Sequence, residues 1–172
     1  MKLSKNFSLN EFTTSAGLAL TPTSQQIFCL LVLAKNVLQP IRDQYGRIKI
    51  TSGLRNKESY EKLISQGYAA SKTSDHFAWS DINPKGTGAA DFYCASPSPM
   101  LCSQAKPMEI VFKWIIRNLY NKCRQIIYYP DMNFIHVSNN FNTIFTMEDN
   151  ISTDKQVLIK KNNTGFVPYI NF

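Results

Sequence analysis

The 172-residue chain contains only two histidines, and their positions constrain the fold more than any other feature. His76 lies in a stretch that opens with Ser-Gly-Leu-Arg at residues 52–55 and closes with Gly-Ala-Ala-Asp-Phe at residues 88–92. His136 lies in an apolar, strand-like run at residues 134–138. Two histidines and one aspartate from separate segments form a ligand set that suits catalytic zinc, which keeps a fourth position for water. We therefore expect a fold that brings these segments together around a divalent metal.

The composition is that of a single globular domain spanning residues 1–172. Hydrophobic residues make up 44% of the chain, and no apolar run approaches the length of about 20 residues that spans a membrane. Nineteen Lys and Arg against twelve Asp and Glu give a net charge of +7, but the basic residues are scattered. Scattered charge favours solubility and contact with anionic polymers over a dedicated nucleic-acid site. We expect a monomer.

The N-terminus and the cysteines both indicate in which cellular compartment the protein is made. Lys2 and Lys5 are not followed by an apolar segment, so we expect a protein made in the cytoplasm without a signal peptide. The four cysteines form no CxxC pair. Free thiols are the favoured interpretation, and a disulfide between Cys94 and Cys102 is the alternative.

Apolar periodicity predicts an α+β fold, in which helices cover a small antiparallel sheet. One long helix carries apolar residues from Ile27 to Ile41, and Pro40 should end or kink it near Gln39. Further helices are predicted over residues 56–66 and 107–121, with loops at 78–87 and 97–107. The predicted strands cover residues 48–51, 89–93, 125–129, 134–138 and 156–159, and the third and fourth of these form a hairpin.

A series of short motifs follows one order along the chain. They are FSLNEF at residues 7–12, VLQPIR at 37–42, ITSGLR at 50–55, SDH at 74–76, GAADF at 88–92, QIIY at 125–128 and FIHVS at 134–138. With these motifs, residues 7–138 resemble the zinc D-alanyl-D-alanine carboxypeptidase family, which includes phage endolysin peptidases and has a hedgehog-like fold. Residues 139–172 would be a C-terminal extension that packs on the core.

The resemblance implies roles for individual residues. His76, Asp91 and His136 would be the zinc ligands, and Arg55 would be the family's substrate arginine. A guanidinium can hold a carboxylate in a bidentate way or polarise the scissile carbonyl. Ser74 would orient the loop that carries His76.

The spacing between the first two ligands departs from the family pattern. Fifteen positions separate His76 from Asp91, where the family has a short Gly-containing segment. The extra residues would form a loop at the mouth of the site, with Trp79 either contacting substrate or tucked under its own loop. Asp81 is a rival ligand, but the motif around Asp91 and its strand context favour Asp91.

A second departure concerns the catalytic base. The family places an acid shortly before the last zinc histidine, often three positions upstream, and here that position is Asn133. An amide cannot take a proton. Asp131 in the predicted hairpin turn is the nearest acid and the candidate base, and Tyr129 is another nearby titratable group.

The resemblance implies a zinc metallopeptidase that cuts a bond in bacterial peptidoglycan, as a D-Ala-D-Ala carboxypeptidase or a cell-wall endopeptidase. Its partner would be the peptidoglycan stem peptide. The lack of a signal peptide fits a phage-encoded enzyme that a holin or the virion delivers to the wall. The alternative is a member of the same fold that has lost its base and serves as a cell-wall-binding or virion-associated protein.

Overall fold

The protein is described by a computed structural model that covers residues 1–84, 86–97, 107–139, 156–161 and 165–169. The predicted α+β class is confirmed: helices pack on a six-stranded sheet, and a separate two-stranded ribbon lies near the N-terminus. The helices are α1 (Ser24–Leu33), α2 (Gln39–Tyr45), α3 (Lys57–Ser65) and α4 (Pro107–Leu119). The strands are β1 (Thr14–Ser15), β2 (Leu18–Ala19), β3 (Gly46–Ser52), β4 (Ala89–Pro97), β5 (Cys123–Tyr129), β6 (Phe134–Asn139), β7 (Gln156–Lys161) and β8 (Gly165–Pro168).

The long helix does not end at Pro40. Between α1 and α2 the chain forms a π-helical segment, Ala34–Leu38, and the helix then continues to Tyr45. The amide of Gln39 donates to the carbonyl of Ala34, five residues back. Because Pro40 lies in the first turn of α2, it interrupts the α-helical hydrogen bonds without ending the helix.

The large sheet has the strand order β3-β4-β6-β5-β7-β8. The β5–β6 hairpin is confirmed, and all neighbouring strands are antiparallel except β5 and β7, which run parallel. The sequence indicated only an antiparallel sheet. β7 and β8 belong to the C-terminal extension, and Val157, Ile159 and Tyr169 pack against the main core.

The two faces of the sheet have different surroundings. The core face carries the side chains of Phe92, Ile126, Tyr128, Ile135 and Val137, all nearly inaccessible to solvent. Phe112 of α4 stacks on Tyr128 with ring centroids 5.5 Å apart. Side chains alternate between faces along a strand, so Asp91 and His136 lie on the opposite face. That second face is available for a functional site.

Two further expectations concern the thiols and the membrane. Cys29 and Cys94 are free thiols, and burial raises the pKa of each to about 11. Cys102 and residues 98–106 of the predicted second loop lie outside the described residues. Among the helices that the structure describes, none is long and apolar enough to cross a membrane.

Candidate metal centre

His76 is held in a short turn that its own neighbours stabilise. Residues Asp75–Phe77 form a single 3-10 turn, and the Ser74 hydroxyl accepts a hydrogen bond from the His76 amide at 3.3 Å. Ser74 therefore caps the turn that carries His76. The imidazole is buried, and its Nδ1 lies 2.5 Å from the Gly53 carbonyl oxygen. A carbonyl can only accept, so Nδ1 carries the proton.

Asp91 and His136 come from neighbouring strands and are direct partners in the β4–β6 register. Directly paired residues place their side chains on the same face of a sheet. Asp91 Oδ1 lies 2.8 Å from His136 Nδ1 and 3.3 Å from His76 Nε2. The two imidazole rings have centroids 5.0 Å apart. The topology thus brings together three residues that are far apart in sequence.

The tautomer of His76 explains why this cluster suits a cation. With the proton on Nδ1, Nε2 of neutral His76 presents a lone pair to the Asp91 carboxylate, and two acceptors face each other at 3.3 Å. A metal ion bound between the two atoms would remove this repulsion. The Gly53 carbonyl behind the ring is the kind of outer contact that fixes the tautomer of a metal-ligating histidine.

The spacing of the ligand atoms also fits a small metal ion. One ligand atom from each of His76, Asp91 and His136 lies within 4.8 Å of the others. Tetrahedral bonds of about 2.0–2.1 Å would place ligand atoms about 3.3 Å apart, which small side-chain rotations would achieve here. The group could therefore hold a metal ion, and two imidazoles with a carboxylate suit several divalent metals.

Electrostatics keep the carboxylate of the cluster ionised. Burial by itself raises the pKa of Asp91, but His76 and His136 outweigh burial through charge and hydrogen bonding and hold the pKa well below its usual range. The other nitrogen of His136, Nε2, is buried and has no hydrogen-bond partner among the described residues.

Arg55 lies beside this cluster, and its guanidinium is buried with no ion pair to the described residues. Its backbone amide donates to the His76 carbonyl at 2.8 Å, which ties it to the metal-ligand turn. The side chain is 8% exposed, no ion pair reaches its guanidinium from the described residues, and its Nε has no hydrogen-bond partner there. Burial lowers the pKa of Arg55, and the nearby Asp91 carboxylate opposes that shift. An unpaired buried guanidinium is costly, and such a group is suited to an anionic ligand.

Asp75 and Arg124 form a buried ion pair behind the His76 turn. Arg124 Nη1 contacts both carboxylate oxygens of Asp75, and the Asp75 side chain is only 2% exposed. Asn83 adds a second support, because its side-chain amide donates to Thr87 Oγ1 at 2.6 Å and to the Asp75 carbonyl at 3.5 Å. The extra residues between His76 and Asp91 therefore brace the turn.

The other residues that the sequence proposed for the site do not belong to the cluster of His76, Asp91 and His136. Trp79 is half-buried and packs against the hydrophobic core, whereas Asp81 is exposed and does not join the metal-ligand group. Asp131 is exposed in the turn between β5 and β6. Asn133, in the same turn, is exposed and has a left-handed backbone with φ of 52°.

Sequence reasoning did not find Gly53, Asp75 or Arg124 as supports of the site. Gly53 and Asp75 lie inside the quoted motifs next to Arg55 and His76, which was the one signal that pointed to them. Arg124 gave no signal, because its partner is 49 positions away in sequence.

Gly53 makes a close approach that no other residue can make. A Cβ at this position would lie 2.5 Å from both Cα and the carbonyl oxygen of Phe12. The neighbouring Leu54 amide donates to that same carbonyl at 2.7 Å. Phe12 thus holds this segment in place. The Gly53 carbonyl of the same segment accepts the hydrogen bond from His76 Nδ1.

Gly53→Ala is expected to destabilise the fold by about 3 kcal/mol, since the overlap is with backbone that cannot rotate away. Urea unfolding followed by circular dichroism measures the change. Gly67→Ala is the matched control: Gly67 has φ of +83° and open space around it, so only backbone strain of about 1 kcal/mol is expected. Equal losses in the two variants would contradict the close approach of Phe12.

No protein-family model, curated protein or solved structure matches this chain. The fold and the cluster of His76, Asp91 and His136 are therefore described by the structure alone, and membership of the carboxypeptidase family stays a prediction from the motifs.

Proposed function

We propose that the protein is a zinc-dependent metallopeptidase that hydrolyses a peptide bond in bacterial peptidoglycan, as a D-Ala-D-Ala carboxypeptidase or a cell-wall endopeptidase. The order of motifs along residues 7–138 supports the reaction class. The observation that carries the proposal is the position of Arg55, which is buried with no ion pair among the described residues and lies beside three residues that could hold a metal ion. A peptidase of this kind needs both a metal position and a cation for the substrate's acidic end.

Each residue of the site has a different role in the proposed reaction. His76, Asp91 and His136 would hold the metal, and zinc bound there would polarise the scissile carbonyl and lower the pKa of water. Arg55 binds and orients the peptide through its carboxylate or carbonyl oxygen. Ser74, Asp75 and Gly53 keep the His76 imidazole in the tautomer and direction that coordination requires. Asp131, which is exposed in the turn between β5 and β6, is the candidate base.

The chemistry of the substrate fits the charge of the protein. A stem peptide ends in a carboxylate, and the cell wall is an anionic polymer, so a net charge of +7 favours approach to it. We propose that a phage encodes the enzyme and that it reaches the wall through a holin or on the virion.

One observation favours a second candidate function, that of a protein that binds the cell wall without cutting it. Asn133 occupies the place of the family's acid, and an amide cannot accept a proton from water. A protein with the metal site but without the base would bind the cell wall and not cut it. In that case it acts as a cell-wall-binding or virion-associated protein.

Release of products from cell walls separates the two functions. Zinc-loaded protein incubated with purified peptidoglycan, and separately with D-alanyl-D-alanine, is expected to release peptide fragments or D-alanine over many turnovers, measured by liquid chromatography and mass spectrometry. Removal of zinc by a chelator should stop the release, and Asp131→Ala should slow it about 100-fold if Asp131 is the base. Zinc binding and wall binding without any release would overturn the peptidase and favour the binding protein.

A further inference from the structure

Tyr129 lies on the metal-ligand face of the sheet. In the β5–β6 register Tyr129 pairs with Phe134 and Ile127 pairs with His136. Side chains two positions apart point to the same face, so the Tyr129 side chain shares its face with His136 and Asp91. The neighbouring Tyr128 points the other way, into the core, where it stacks on Phe112.

Two aromatic rings hold the Tyr129 ring in place. Phe134 stacks on it with centroids 4.2 Å apart and an interplanar angle of 15°. Phe166 of β8 meets its edge at 6.1 Å. A ring packed in this way has little freedom to move, so its hydroxyl has a defined direction.

The hydroxyl is the polar atom that Tyr129 presents on the metal-ligand face. The side chain is half-buried, and among the described residues no hydrogen bond reaches its oxygen. Burial first, and then the Asp91 carboxylate, raise the pKa of Tyr129 to about 12, while the charge of Arg55 lowers it. The phenol is therefore a neutral hydrogen-bond donor, and it does not replace the missing base at Asn133.

We propose that Tyr129 contacts substrate and donates a hydrogen bond to the negatively charged substrate oxygen that Arg55 binds. This inference rests on the proposed peptidase function and identifies a second donor in its site. The oxygen belongs either to the peptide's carboxylate or to the scissile carbonyl, where charge develops during hydrolysis. Both oxygens need the same chemistry, namely a donor beside a guanidinium in a site that is partly shielded from water.

Tyr129→Phe tests the proposal, because it removes only the hydroxyl and keeps the ring between Phe134 and Phe166. Tyr128→Phe is the matched control, since the same atom is lost from the opposite face. For each zinc-loaded variant, kcat and KM are measured on D-alanyl-D-alanine and on a peptidoglycan fragment. Zinc content and circular dichroism should match wild type in both variants.

The expected effect of Tyr129→Phe is a loss of about 10²–10³-fold in kcat/KM, with Tyr128→Phe within about twofold of wild type. A fall in kcat with KM unchanged assigns the hydroxyl to the scissile carbonyl, and a rise in KM assigns it to the carboxylate. A calorimetric titration with a phosphinate analogue of the dipeptide gives a second readout that needs no turnover. There we expect Tyr129→Phe to weaken binding at least about tenfold.

Different results would overturn the inference and the proposed function. Wild-type protein that hydrolyses or binds these compounds, together with a Tyr129→Phe variant that matches it within about twofold, would overturn the role of Tyr129 alone. Wild-type protein that neither cleaves the substrates nor binds the phosphinate would overturn the peptidase and, with it, this inference.

Discussion

Replacing His136 with alanine is expected to lower the affinity of the protein for zinc by more than about 100-fold and to abolish hydrolysis. Changes to residues that only contact a metal ligand cost about 10–100-fold, so the loss of a ligand should cost more. His136→Ala leaves two ligands and removes the group that approaches Asp91 at 2.8 Å. Competition with a chromophoric chelator measures the affinity.

Asp81→Ala is the matched control for this experiment. Asp81 is an exposed aspartate on the loop between His76 and Asp91, and it was the rival ligand on sequence grounds. We expect this variant to keep wild-type affinity for zinc. If Asp81→Ala lost zinc while His136→Ala kept it, the ligand set would be wrong.

Arg124→Met is expected to cost about 3–5 kcal/mol in free energy of unfolding. The substitution keeps most of the volume of the side chain but leaves the Asp75 carboxylate, which is 2% exposed, without its counter-charge. Because Asp75 directly precedes His76, zinc affinity should also fall, by about 10–100-fold. Urea unfolding measures the first quantity, and the chelator assay measures the second.

The double variant Arg124→Met with Asp75→Asn shows whether the lone charge causes the loss. An amide is cheaper to bury than a carboxylate, so we expect the double variant to recover at least about half of the lost stability. If the single variant unfolds within about 1 kcal/mol of wild type, or if the double variant is no better than the single, the ion pair does not support the turn.

Local patterns in the sequence predicted much of the fold. The spacing of the two strand-like segments, β5 and β6, and the turn residues between them predicted the hairpin, because register in a hairpin is set by neighbouring residues. The periodic apolar residues of α1 and α4 predicted the helices that cover the sheet. The π-helical segment, Ala34–Leu38, was not predicted, since only its tertiary setting shows how the chain accommodates Pro40.

Long-range contacts were less accessible from the sequence. The parallel pairing of β7 with β5 depends on how residues far apart in the chain meet, and no local pattern encodes it. The Asp75–Arg124 pair belongs to the same class. The β5–β7 pairing and the Asp75–Arg124 ion pair both depend on the tertiary structure, so the sequence alone did not predict them.

The candidate metal-ligand group could be predicted because histidines are scarce in this chain. With only two histidines, a site of this kind must use His76 and His136, and the structure brings them together with Asp91, as expected. Asp131 as the base stays a prediction, because it lies in an exposed turn and no contact joins it to the cluster among the described residues.

Anomalous X-ray scattering at the zinc edge, from crystals grown with zinc, tests the metal centre most directly. We predict one strong peak per chain at about 2.0–2.2 Å from His76 Nε2, Asp91 Oδ1 and His136 Nδ1. The same crystals would show whether the Arg55 guanidinium faces that peak. No peak at these three residues, or a peak held by other side chains, would contradict the metal centre.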